Sequence, residues 1–166
     1  MAIHNSVQSM LKESLTEMIQ VAEYCVNYQK NPKDWGNEGC YGYPAAILLF
    51  AIADSIGSYV IGGKTNRDHF NIFNQKDYYN LNLDKKSIDI IYKRYRCLLT
   101  HNAVLATNAF LDIGDDSSPV FSIRDNICCI YLKPFLQITK MALEKFLRDV
   151  ESIVENSKQL EKILKK

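Results

Sequence analysis

The chain has 166 residues, enough for one domain of ordinary size with a sizeable core. Apolar residues make up 47% and charged residues 23%, with only seven Gly and four Pro, which excludes a disordered, fibrous or low-complexity chain. With 20 basic and 19 acidic residues, no global field draws nucleic acid or a membrane, so any such attraction must come from a local patch.

The first predicted element is a helix over residues 5 to 30. Val7, Met10, Leu11, Leu15, Met18, Ile19, Ala22 and Val26 recur every three or four positions, with Asn5 or Ser6 as N-cap. The opening MAIHNSVQSMLKES lacks a basic segment followed by an apolar block, so it does not read as a signal peptide. Asn31-Pro32 stops the helix, because the residue before Pro is pushed out of helical geometry. An ordered loop rich in Gly and aromatic residues comes next, over 31 to 43.

Pro44 suits the first turn of a second helix, which is apolar almost all round through Ile47, Leu48, Phe50, Ala51, Ile52 and Ile56. The run from Pro44 to Gly63 is long enough to suggest a membrane span. Asp54 sits in its middle, and a central carboxylate is costly in lipid, so we read the buried central helix of a bundle with no membrane association. Gly62-Gly63 ends it. A short helix is expected around Phe70 and Phe73 within 67 to 80. Asp84 or Ser87 caps the next, whose stripe is Ile88, Ile91, Tyr95 and Leu98.

After His101 the pattern becomes extended. Ala109 to Ile113 and Val120 to Ile123 read as a β-hairpin across Gly114 to Pro119, and Ile127 to Tyr131 as a third strand or the lead-in to a helix. Pro134 opens a long last helix through Phe135, Ile138, Ala142, Phe146, Val150 and Ile153 or Val154. A Lys-rich tail from Ser157 is expected to fray. With no repeat and no linker, residues 1–166 read as one all-α domain: a bundle of four or five helices with a small β-hairpin before the last long one.

Several chemical motifs are excluded by spacing. Cys25, Cys40, Cys97, Cys128 and Cys129 are odd in number and contain no C-x-x-C pair. His4, His69 and His101 lie far apart. Neither a disulfide framework nor a zinc site is expected, and no cofactor or metal is implied. Buried reduced thiols in a cytoplasmic chain fit better. Gly62-Gly63-Lys64-Thr65 is no phosphate loop, since Ser58 stands where the first Gly of that pattern belongs. Asp112, Asp115 and Asp116 lack the alternating spacing of a calcium loop.

Lys85 to Asn102, KKSIDIIYKRYRCLLTHN, gathers Lys85, Lys86, Lys93, Arg94 and Arg96 against Asp89, with Tyr92 and Tyr95 interleaved. Such a patch suits phosphate and base stacking, although on charge alone a solvated helix face explains it. Within it, Tyr95-Arg96-Cys97-Leu98-Leu99-Thr100-His101-Asn102 resembles the R-x4-6-H signature of HEPN domains. These are helical bundles, often dimeric, and many are metal-independent endoribonucleases or toxins. The resemblance spans about residues 44 to 155, with the N-terminal helix as an extension. It implies a homodimer that binds RNA or a nucleotide, paired in some settings with an antitoxin or other partner protein in a defence role.

By this resemblance His101 is the acid/base and Arg96 the phosphate clamp. Tyr95, Asn102, Lys93 and Arg94 are substrate-contacting candidates, and Asp54 is a group that orients a site residue. Imidazole exchanges protons near neutral pH, and guanidinium binds phosphoryl oxygens without deprotonating. Active members usually carry a polar residue directly after the Arg. Cys97 departs from that pattern and points to an alternative, a non-catalytic dimeric binding or assembly module. A small-molecule or nucleotide pocket lined by some of the ten Tyr is a third reading. On a straight α-helix, residues five apart lie about 140° apart, and Arg94 is only about 20° from His101. Arg96 and His101 therefore meet only if the helix unwinds near Thr100, if Arg96 reaches around it, or if a partner chain supplies one of the two.

Overall fold

The computed structural model describes residues 5–36 and 38–158; His4 and the tail beyond 158 lie outside them. Of the two candidate caps, Ser6 closes the first helix, α1 (Val7–Asn27), by accepting from the Ser9 N–H at 3.1 Å. Pro32 opens a single extra turn, α2 (Pro32–Trp35), which Asn31 caps.

The apolar helix is α3 (Gly42–Val60), with Pro44 in its first turn. By length and composition it is long and apolar enough to cross a bilayer, yet it forms the centre of the fold. Ala45, Ala46, Leu49, Ile52, Ala53 and Ile56 are wholly buried, and α1 packs along it. Gly62 and Gly63 end it with positive φ (65° and 127°), the geometry only glycine adopts freely. Just beyond, the Asp68 carboxylate accepts from the backbone N–H groups of Lys64 and Thr65 at 3.0 and 2.9 Å. An anion of the protein itself thus occupies the place where a phosphate loop would hold its ligand.

The short helix expected over 67 to 80 is α4 (Asn66–His69), tightened into a 3-10 turn over Phe70–Asn74. Asp84, not Ser87, caps the next helix, α5 (Lys85–Ile91). A π-helical turn (Tyr92–Cys97) and α6 (Leu98–Asn102) continue it. A π turn carries more residues per turn than an α turn and shifts the phase of the residues beyond it. Leu99, four residues on from Tyr95, faces the core at 2% exposure, whereas the stripe read from the sequence named Leu98.

The extended region departs from the expected hairpin. β1 (Ala109–Asp112) and β2 (Phe121–Arg124) do not pair; β3 (Ile127–Tyr131) lies between them, parallel to β1 and antiparallel to β2. The tight turn is Asp125-Asn126, both at positive φ, which joins β2 to β3 in two residues. Gly114 to Pro119 instead spans the width of β3, and within it Asp115 accepts from Ser117 and Ser118. The fold is therefore mostly helical, as expected, with the small β element before the last helices built as a three-stranded mixed sheet. α7 (Leu132–Arg148) starts two residues before Pro134, and Asp149 separates it from α8 (Val150–Glu155), so the long last helix is two pieces.

Phe50 on α3 is the hub of the core. Its ring lies 5.2 Å from Phe135 on α7, 6.1 Å from Phe70 and 6.1 Å from Tyr95 on the π turn, measured between centroids. Aromatic pairs at such separations add to the burial of their surface. Tyr95 is wholly buried, so it is a core residue and not the expected substrate contact. Its hydroxyl lies 2.6 Å from the Cys128 carbonyl, to which it donates, and accepts from the Phe110 N–H at 3.2 Å. Burial pushes its pKa up, so the phenol stays protonated. Tyr95→Phe leaves both backbone groups without this partner. It is expected to lower unfolding free energy by about 1–3 kcal/mol, read by urea denaturation.

Candidate functional site

Asp54 stands in the middle of the most buried helix, with its side chain 17% exposed. A carboxylate there needs partners, since water no longer solvates it fully. It has two. Oδ1 lies 2.7 Å from His69 Nδ1, and Oδ2 accepts from an Arg96 terminal nitrogen at 3.0 Å. An ionised carboxylate only accepts, which assigns the proton in the first contact to Nδ1 of His69. The other terminal nitrogen of Arg96 lies 3.4 Å from Nε2 of His101. A guanidinium only donates, so Nε2 is the acceptor there. The four side chains form one line: His69, Asp54, Arg96, His101.

Arg96 and His101 thus meet within one chain. Thr100 stays helical inside α6, so the helix does not unwind there. Arg96 sits in the wide turn, and its long side chain covers the remaining angle. Its guanidinium carbon also lies 6.0 Å from the centre of the Tyr92 ring. Asp89, the acid on the same helical run, pairs instead with Arg67 at 3.3 Å.

A cleft of about 340 Å³ opens along this line, with Asp54, Ser55, Ser58, His69, Arg96 and Thr100 in its wall. That volume is at the lower end for small-ligand sites. Its polar wall offers hydroxyls, an imidazole and a guanidinium, a set suited to a phosphate-sized group. His101 stands exposed beside it. One carboxylate and one imidazole, already joined to each other and flanked by Arg96, make a poor cation site. Among the described residues no group of three or more His, Cys, Asp or Glu side chains gathers. A larger cleft of about 730 Å³ is lined by Tyr78, Tyr79 and Met141 and matches the tyrosine-lined pocket in type, with Lys76 as the cation in its wall.

The other candidates lie apart from this line. Arg94 clamps the β2–β3 turn, donating to the Asn126 carbonyl at 2.7 Å and to its side-chain oxygen, so it is committed to the sheet. The helical angle that favoured it is overridden by this turn. Lys93 and Asn102 are exposed, the latter at the end of α6.

His69 was not singled out by the sequence. Gly57 on α3 carries the missed signal. A Cβ built on Gly57 would lie 2.2 Å from the His69 carbonyl oxygen, so only glycine lets α4 approach α3 this closely. That approach brings His69 against Asp54.

Compared with family models, curated proteins and solved structures, the chain matches none of them.

Gly57→Ala is expected to push α4 off α3, destabilise the fold by about 1–3 kcal/mol and break the Asp54–His69 bond. Denaturant unfolding reads the first effect, and loss of the hydrogen-bonded Nδ1 proton of His69 from the NMR spectrum reads the second.

Proposed function

We propose that this chain is a HEPN-like RNA-binding protein and a metal-independent endoribonuclease of the toxin or defence type, acting in the cytoplasm. The observation that carries this reading is the contact between Arg96 and His101 beside a polar cleft, with Arg96 held by Asp54. In RNA the 2′-hydroxyl attacks the adjacent phosphorus. That step needs a group to move a proton and a cation to hold charge on the phosphoryl oxygens. His101 is the first and Arg96 the second. Because Asp54 fixes the guanidinium before substrate arrives, little is lost in ordering it. The exposed Lys85, Lys86 and Lys93 on the same helical run attract the RNA backbone. A homodimer belongs to this reading, since a two-fold axis would bring two such sites onto one RNA.

The second reading is a non-catalytic HEPN-like module that assembles as a dimer or with a partner protein. Cys97 favours it. This residue follows Arg96, is half-buried, and sits against the Tyr92 hydroxyl rather than offering a polar group to the cleft.

Purified protein is expected to cleave single-stranded RNA in the presence of a chelator, and His101→Ala to slow cleavage at least about 100-fold. Wild-type protein that is inert on diverse RNA pools and retains no RNA overturns the ribonuclease reading. Cys97→Asn separates the two readings. A large gain in cleavage over wild type marks a catalytic site silenced by the thiol. No gain, together with a tight partner in pull-downs, marks the module.

A further inference from the structure

We infer that His69 is a second catalytic imidazole of this site, the group that protonates the leaving oxygen when RNA is cut. The inference deepens the ribonuclease reading and rests on it. Cleavage by a 2′-hydroxyl moves two protons at opposite sides of the phosphorus. One leaves the attacking oxygen, and one reaches the departing 5′-oxygen. A single imidazole placed for the first is misplaced for the second in the same in-line step.

The geometry provides two imidazoles flanking one guanidinium. His101 Nε2 accepts from Arg96 at 3.4 Å, so a ring lone pair of His101 faces the guanidinium. On the other side of Arg96, a single carboxylate links the guanidinium to His69: Asp54 Oδ2 takes Arg96 at 3.0 Å and Oδ1 takes His69 Nδ1 at 2.7 Å. With Nδ1 occupied, the exchangeable nitrogen of His69 is Nε2, which has no protein partner among the described residues, and His69 contributes to the cleft wall. A carboxylate on the far nitrogen of an imidazole sets its tautomer and orientation, the arrangement that lets an imidazole work as an acid or base. Gly57 holds the backbone of this residue against α3.

The step balances without another reactant. The 2′-hydroxyl proton passes to His101. The 2′-oxygen bonds to phosphorus, whose charge Arg96 holds. The bond from phosphorus to the 5′-oxygen breaks, and that oxygen takes the proton from Nε2 of His69, which enters the step as the imidazolium beside Asp54 and leaves it neutral with its proton on Nδ1. The products are a 2′,3′-cyclic phosphate and a free 5′-hydroxyl. The charged groups around His69 are Asp54 from α3 and Arg96 from the π turn. On its own element, Asp68 is engaged with Lys64 and Thr65, and Arg67 with Asp89.

The test uses the full chain, wild type and His69→Asn, on two substrates. Asn keeps a side-chain N–H able to donate to Asp54 but has no second nitrogen to protonate a leaving group. One substrate is a short single-stranded RNA. The other is a uridine 3′-phosphate ester of p-nitrophenol, whose leaving group departs without a proton. His69→Asn is expected to cut RNA about 10²–10⁴-fold more slowly and the nitrophenyl ester within about threefold of wild type, whereas His101→Asn loses both. Equal loss on both substrates, or none on RNA, overturns the assignment. The wild-type pH–rate profile on RNA needs no variant. A bell is expected, and a profile without an alkaline fall between pH 5 and 9 overturns the second imidazole even if His69→Asn does not fold. Wild-type protein that cuts neither substrate defeats the ribonuclease reading itself, and the role of His69 with it. Cleavage by wild type with no effect of His69→Asn leaves that reading standing and removes only His69.

Discussion

An ionised carboxylate inside an apolar helix is the constraint on which the site depends. Asp54 lies one turn from Phe50 and two residues from Ile52, in the most buried stretch of the chain. Water reaches it poorly, so the fold must supply both of its partners. It draws His69 from one side and Arg96 from the other, and these residues belong to two elements far apart in the chain. The three side chains are only 10–19% exposed, so solvent screens this network far less than it screens Lys12–Glu151, whose side chains are 48% and 62% exposed. A surface pair of that kind fixes little; the Asp54 network fixes the wall of a cleft.

Rigidity comes from the residue next to Arg96. Tyr95 is locked in the core by Phe50 and by two strands, β1 and β3, through its hydroxyl. Its neighbour in sequence therefore starts from a fixed backbone, and a wide helical turn directs the guanidinium into the cleft. Arg94 strengthens the same frame from outside by holding the β2–β3 turn. One helical segment thus supplies a core anchor, a sheet clamp and a cleft cation from three nearby positions. A site held by packed neighbours loses less on binding than one built on loops.

The helices were legible because apolar spacing and capping chemistry are local. Ser6, Pro32, Pro44, Gly62 and Asp84 each act within a turn of their own position. The sheet was less so. Gly114 to Pro119 has the stronger turn composition, yet the two-residue turn is Asp125-Asn126, and the parallel pairing of β1 with β3 has no local signature. The π turn was also invisible, since one extra residue per turn leaves no mark in composition.

By itself the sequence determined where the long helices lie, that the helix from Pro44 is central, and that Asp54 is a carboxylate in an apolar run; Arg96 and His101 were reached only through the motif they share with HEPN domains. The helices and Asp54 are properties of periodicity and of charge in an apolar run, which neighbouring residues settle. The tertiary structure alone decided that Arg96 pairs with Asp54, that Arg94 faces the sheet, and that His69 joins the line. Each of these depends on how closely two distant elements approach. That distance is set by contacts such as Gly57 against His69, where the absence of one methyl group lets a helix in.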